Sequence, residues 1–132
     1  MKKLLLTSCI ALCANAFSQS YCMPEFDDGC DDGDMINSFQ MPTANFSHQD
    51  TGCSTGSYGI FTNQFITMSP SLTYPFTITH GYDSQHVKIW IDFNNDGTFD
   101  EVTELMASVQ STYANSVDTS SGNIVVPSSL PL

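Results

Sequence analysis

The stretch Gln85-His86-Val87-Lys88-Ile89-Trp90-Ile91-Asp92-Phe93 alternates between apolar and polar side chains along most of its length. Val87, Ile89, Ile91 and Phe93 fall on one side, and Lys88, Trp90 and Asp92 on the other. A period of two sends successive side chains to opposite faces, so this is a half-buried strand. Upstream, Leu72-Thr73-Tyr74-Pro75-Phe76-Thr77-Ile78-Thr79 alternates strictly, with Leu72, Tyr74, Phe76 and Ile78 on one face. Pro75 has no N–H to donate to a ladder, which predicts an edge strand or a bulge there. Gly81-Tyr82-Asp83-Ser84 turns the chain between the two strands.

Working outward, residues 35–39 predict a short first strand and residues 58–68 a strand or bent pair. Residues 105–113 and 122–126 predict two further strands. Residues 21–34 are rich in Asp, Gly and Pro and read as a turn-rich opening, and residues 45–59 read as a loop pinned by Cys53. No stretch of ten or more residues shows helical periodicity. Short strands separated by turn signals predict an all-β fold, an antiparallel β-sandwich of the jelly-roll or immunoglobulin-like kind.

The chain has 132 residues, enough for one domain, and a formal net charge of −11. With only 3 Lys and Arg against 14 Asp and Glu, no basic patch can form for nucleic acid or an anionic membrane. The acidity is local: Glu25, Asp27, Asp28, Asp31, Asp32 and Asp34 form one cluster, and Asp92, Asp96, Asp100, Glu101 and Glu104 a second. The first reads as a solvated loop bracketed by cysteines.

Lys2 and Lys3, the apolar run at 4–14 and the small residues after it have the layout of a secretory signal peptide. The signal is assigned to residues 1–18, with cleavage after Ala16 or Ser18, and the domain to 19–132. A lipidation reading of Leu6-Thr7-Ser8-Cys9 is weaker, because few apolar residues precede it. No later segment is apolar enough to anchor the chain in a bilayer. The expected location is extracellular or at the cell surface.

Removal of the signal leaves Cys22, Cys30 and Cys53, an odd number in an oxidising compartment. Cys30–Cys53 is the expected disulfide, although spacing alone leaves the other pairings open. With no CxxC pair and no histidine ligand set, the cysteines do not read as a zinc site.

The chemical centre is Asp92-Phe93-Asn94-Asn95-Asp96-Gly97-Thr98-Phe99-Asp100-Glu101-Val102-Thr103-Glu104. Asp92, Asn94 and Asp96 place oxygen ligands at every second position, and Gly97 supplies the sharp turn that brings the Thr98 carbonyl inward. Asp100 adds a further oxygen, directly or through water. Hard oxygen donors at this spacing suit Ca²⁺, and the thiol and imidazole ligands that would suit zinc are missing from the loop. The EF-hand template asks for Glu at loop position 12. Here that position is Thr103, and Glu104 follows it. The loop also follows a strand and not a helix, so this is a calcium loop of similar start on a β scaffold. The competing reading is a solvated Asn-Asp-Gly hairpin turn, which accounts for Asn95-Asp96-Gly97 but not for Asp92, Asn94 and Asp100.

These features fit a wider pattern. Tyr21-Cys22-Met23-Pro24, Gly29-Cys30, Gly33-Asp34-Met35-Ile36, Thr51-Gly52-Cys53-Ser54, the block from Val87 to Asp100 with Glu104, and Ile124-Val125-Val126-Pro127 together resemble the GEVED domain family. The resemblance runs from Tyr21 to the last residue, and the tryptophan–acidic-loop block is its specific part. It implies a large secreted bacterial protein, with neighbouring modules of peptidase or fibronectin-like type. It also implies a domain incomplete at its C-terminus. The Gly-Glu-Val-Glu-Asp segment that names the family would follow Pro127, on a missing part that offers Cys22 a partner.

Together these observations lead to the expectation of a non-catalytic, calcium-binding β-sandwich module. Its role would be accessory or adhesive, and its partners other domains of the same or a larger secreted protein. A second reading makes Trp90, with Tyr82 and Tyr74, a stacking platform for glycans. A third, carboxylate catalysis on a glycan, is disfavoured because the carboxylates share one loop with cation-type spacing and no recognisable cleft. His48, His80 and His86 show no metal spacing. No nucleophile elbow, P-loop or dinucleotide fingerprint is present.

Overall fold

The structure is a computed structural model that describes residues 21, 25, 27, 29–81, 85–111 and 118–130. The signal segment, Cys22 and Tyr82 lie outside the described residues.

Among the described residues six strands form: β1 (Ile36–Met41), β2 (Phe46–Gln49), β3 (Thr73–His80), β4 (His86–Trp90), β5 (Leu105–Gln110) and β6 (Asp118–Val125). Among the described residues, helix is confined to short 3₁₀ turns. A four-stranded sheet has the order β2-β1-β3-β6, a two-stranded sheet pairs β4 with β5, and every pairing is antiparallel. The fold is therefore all-β and antiparallel, as the alternation predicts.

The two sheets share one core. On the larger sheet and its margin, Met41, Tyr74, Phe76, Ile78, Ile124 and Val126 are buried. Val87 and Ile89 of β4 and Ala107 and Val109 of β5 pack against them, as do Ile91 and Phe93 just beyond β4. The apolar row of residues 87–93 thus faces the core. In β3, Tyr74, Phe76, Ile78 and His80 are buried, whereas Leu72 lies ahead of the strand and is exposed.

Gly122 marks where the sheets meet. A Cβ there would lie 2.8 Å from the Phe76 ring and 3.2 Å from the Val109 side chain. A residue without a side chain lets the two sheets close over Phe76. His80 is buried at the end of β3, with its Nε2 3.1 Å from the Ser120 hydroxyl.

Several expectations change. Strand β2 falls within residues 45–59, which read as loop. A turn that starts at Pro42 and ends on Asn45 at φ 52° reverses the chain, so that Phe46 returns opposite Met41. With Phe46 as its one apolar residue, Phe46-Ser47-His48-Gln49 carries no apolar–polar alternation to announce such a strand. Residues 58–68 form no strand. Ile60, Phe61 and Phe65 are exposed, and only Ile66 and Met68 pack on the core. β propensity measures fit to a pleated, half-buried surface, and this segment pairs with no strand, although the Phe61 ring meets His48 of β2 edge-on at 4.6 Å.

Pro75 lies on a strand that is central in sheet order, not at an edge. The pairing of β1 with β3 covers only Thr77 to His80, so Pro75 is laddered on one side, opposite Asn123 of β6. The strand is locally an edge where the proline sits, which is what a missing N–H tolerates.

Cys30 and Cys53 form a disulfide with Cα atoms 5.5 Å apart. It ties the turn-rich opening to the segment after β2, and the Cys30 amide donates to the Ser57 hydroxyl at 3.0 Å.

Candidate functional site

The connection from β4 to β5 is the acidic loop. At its base the Ile91 amide donates to the Glu104 carbonyl at 3.0 Å. Strand pairing continues directly below, with Trp90 opposite Leu105. The stiff hairpin therefore fixes both ends of the loop.

The first half is a knot of side-chain to backbone hydrogen bonds. The Asp96 amide lies 3.3 Å from Asp92 Oδ1 and 3.0 Å from Asn94 Oδ1. The Gly97 amide donates to Asp92 Oδ2 at 3.0 Å. Asp96 Oδ1 accepts from the Thr98 amide at 2.8 Å and from the Thr98 hydroxyl at 2.6 Å, and Asp96 Oδ2 accepts from the Asn94 amide group at 2.9 Å. Asp and Asn favour such turns because their short side chains reach backbone amides two residues on. Gly97 has φ 84°, the left-handed geometry expected of it, and Asn95 joins it at φ 58°.

The second half is a different turn. Asp100 Oδ1 accepts from the Val102 amide at 2.9 Å and from the Thr103 amide and hydroxyl, each at 2.8 Å. In return, Glu104 Oε2 accepts from the Asp100 amide at 2.9 Å, and the Glu104 amide donates to the Asp100 carbonyl at 3.0 Å. This reciprocal arrangement is that of a capping box displaced by one residue. Spacing assigns Asp100 a ligand role, and the geometry adds that its Oδ1 also holds this turn together.

Glu104 is 1% exposed and its Oε1 has no hydrogen-bond partner in the structure. The Trp90 indole Nε1 is likewise buried without a partner. A buried polar atom left unpaired costs roughly 1–3 kcal/mol, so each such atom calls for an explanation.

Aromatic rings line the outward face of β4 beside the loop. Tyr21 stacks on Phe99 with centroids 5.1 Å apart, and Phe99 tilts against Trp90 at 6.3 Å. Lys88 Nζ lies 5.2 Å from the centre of the Trp90 ring and 3.5 Å from the Glu101 carboxylate. Both partners of that exposed ion pair are solvated, so it contributes little. The Tyr21 phenol donates to Asp92 Oδ2 at 2.8 Å, across 71 residues of chain. Spacing within the loop held no signal for this contact; the only trace in the sequence was Tyr21's place in the family pattern.

The electrostatics follow from these bonds. At Asp92 partial burial pushes the carboxyl upward, and the Tyr21 phenol with the Gly97, Asn95 and Asp96 amides outweighs it, so the group lies below its ordinary range. The hydroxyl and amide of Thr98 hold Asp96 low. The amide and hydroxyl of Thr103 do the same for Asp100. The Tyr21 phenol is raised by its bond to Asp92, by burial and by the surrounding carboxylates. The three carboxyl shifts favour the ionised form of the loop, and the Tyr21 shift keeps the phenol protonated as a donor.

The predicted ligands therefore fall into two linked groups: Asp92, Asn94, Asp96 and Thr98 in the first turn, Asp100 and Glu104 in the second. Among the described residues, no three His, Cys, Asp or Glu side chains converge as a ready-made ligand group. The donors in the loop are hard oxygens, the type a hard cation takes, and a buried Glu104 oxygen stands without a partner. Of the proposed glycan platform, Trp90 is half-buried between Lys88 and Phe99, while Tyr82 lies outside the described residues. In the other acidic cluster Glu25, Asp27 and Asp34 are exposed, and Asp34 accepts from the Gln85 side chain at 2.7 Å.

The class defined by fold and loop is an all-β, disulfide-bearing domain with an acidic hairpin connection on its smaller sheet. Residues 86–132 match the family model of the GEVED domain, a match that begins on β4 and takes in the whole acidic loop. This agrees with the family that the tryptophan–acidic-loop block resembles; the motifs at 21–54 lie ahead of the matched residues. Comparison with curated proteins and with solved structures gives no match. Among the described residues no helix is long and apolar enough to cross a membrane.

Proposed function

We propose that this chain is a non-catalytic, Ca²⁺-stabilised β-sandwich module of a secreted protein, with an accessory or adhesive role in a larger extracellular assembly. The observation that carries the reading is the buried, unpartnered Oε1 of Glu104 at the base of a loop of oxygen donors. A cation beside it would supply the partner that the protein does not. Asp92, Asn94, Asp96, the Thr98 carbonyl, Asp100 and Glu104 would hold the ion. Ca²⁺ takes about six to eight oxygens, so the shell draws on an amide oxygen and a backbone carbonyl as well as carboxylates.

What the ion supplies is charge compensation and rigidity at the β4–β5 connection. The chain's own residues do the rest. The Asp96, Gly97 and Thr98 amides orient the first-turn side chains, and the Thr103 amide and hydroxyl hold Asp100. Stabilisation then grows with free ligand over Kd, about 2.7 kcal/mol at a hundredfold excess. Export is supported by the signal-like residues 1–18 and by the Cys30–Cys53 disulfide, which suits an oxidising compartment.

Calorimetric titration with CaCl₂, together with melting curves in Ca²⁺ and in chelator, tests the reading. Heat of binding and a raised melting temperature are expected, and both should vanish in Asp96→Ala. Absence of heat and of any shift in the wild-type protein would sink it.

A further inference from the structure

Among the described residues, one side-chain hydrogen bond reaches the side chains of the proposed ligand set from outside the loop, and it comes from Tyr21. Its phenol and the Gly97 amide both donate to Asp92 Oδ2, at 2.8 and 3.0 Å. Asp92 Oδ1 lies 3.3 Å from the Asp96 amide, and the Asn95 amide also bears on the carboxylate. A carboxylate tied twice through one oxygen cannot rotate freely, so its other oxygen keeps a defined direction. The same tyrosine ring stacks on Phe99, within the same loop. Tyr21 thus grips the loop at two points, one polar and one apolar, from the far N-terminal side of the domain.

We infer that Tyr21 is a positioning residue of the cation site, which orients Asp92 and couples Ca²⁺ binding to its own docking on the acidic loop. The inference rests on the calcium reading above. It makes the β4–β5 loop a clasp: the ion favours the loop conformation that receives Tyr21, and docked Tyr21 favours the conformation that binds the ion. Linkage requires the two effects to be equal, so whatever factor Tyr21 adds to cation affinity the cation adds to docking of Tyr21. Couplings of this kind commonly run to about fivefold or more.

The test uses the full chain and CaCl₂, and compares wild type with Tyr21→Phe. The substitution removes the phenol donor and keeps the ring that stacks on Phe99. Titration calorimetry should show Ca²⁺ affinity weakened by about five- to tenfold. The melting temperature should fall somewhat in chelator, where the bond to Asp92 is lost, and clearly further in Ca²⁺, where the weakened affinity adds to it; an equal fall in both buffers would mark a merely structural role.

A second readout follows the other half of the linkage. Chymotrypsin cuts after both tyrosine and phenylalanine, so cleavage after residue 21 can be followed in both proteins. Ca²⁺ should slow that cleavage in wild type, and slow it less in Tyr21→Phe by a similar factor. Equal Ca²⁺ affinity in the two proteins, or tighter binding in Tyr21→Phe, overturns the inference and leaves the calcium reading standing. Absence of Ca²⁺ binding by wild type removes both.

Discussion

Glu104→Gln should change the sign of its effect with the cation. The side chain is 1% exposed, its Oε2 accepts from the Asp100 amide at 2.9 Å, and its Oε1 has no partner. A carboxamide has nearly the same shape. It keeps an acceptor for the Asp100 amide and removes one formal negative charge from a segment that holds Asp96, Asp100, Glu101 and Glu104 within nine residues. Without a cation the substitution exchanges one unpaired buried atom for another and relieves like-charge repulsion. In chelator, stability should then be no lower than wild type and up to about 1 kcal/mol higher.

With Ca²⁺ at a hundredfold excess over Kd, wild type gains about 2.7 kcal/mol, and a variant without the charged ligand forfeits most of that. One kcal/mol moves the melting temperature of a domain of this size by about 4 °C. The expected pattern is a shift of zero to about +4 °C in chelator and a fall of roughly 8 °C relative to wild type in Ca²⁺. Differential scanning calorimetry in the two buffers measures both. Equal destabilisation in both would refute the reasoning, because it would make Glu104 a turn-closing residue with no part in binding a cation.

Other outcomes follow from the same geometry. Gly122→Ala drives a methyl group to within 2.8 Å of the buried Phe76 ring and should cost about 1–3 kcal/mol in a urea titration, with the slope unchanged. Replacing Cys30 and Cys53 together by Ala opens a loop of 23 residues and should lower stability by about 3 kcal/mol in the chain-entropy model, as read from the same urea titration. The carboxyls of Asp92, Asp96 and Asp100 lie below their ordinary value of 3.8 in the folded chain. Their stabilisation is therefore complete above that value and is lost as pH falls through the lower, folded one. Melting temperatures followed below about pH 4 should fall more steeply for wild type than for Asp96→Asn.

Much of the architecture was legible because period-two alternation is a local property. The rows Tyr74, Phe76, Ile78 and Val87, Ile89, Ile91, Phe93 each name a buried face without reference to anything distant. The failures came where a strand depends on its neighbour. Phe46 to Gln49 became a strand because the turn at 42–45 laid it beside β1, whereas residues 58–68 pair with no strand and stay irregular. Pro75 shows both sides: its chemistry demanded an open flank, and only the partial pairing of β1 with β3 revealed where that flank lies.

The acidic loop divides in the same way. Its composition, its spacing and the turn at Gly97 are determined by consecutive residues, since Asp and Asn side chains bond to backbone amides within a few positions. Nothing local tells that Glu104 is buried with an oxygen unpaired. Nor does local sequence bring Tyr21 across 71 residues to Asp92. Burial and long-range hydrogen bonds are set by how the hairpin, the core and the N-terminal segment close on one another. The sequence by itself determined an acidic, oxygen-rich turn on a β scaffold; the tertiary structure decided which of its oxygens are satisfied, which is not, and what clasps it.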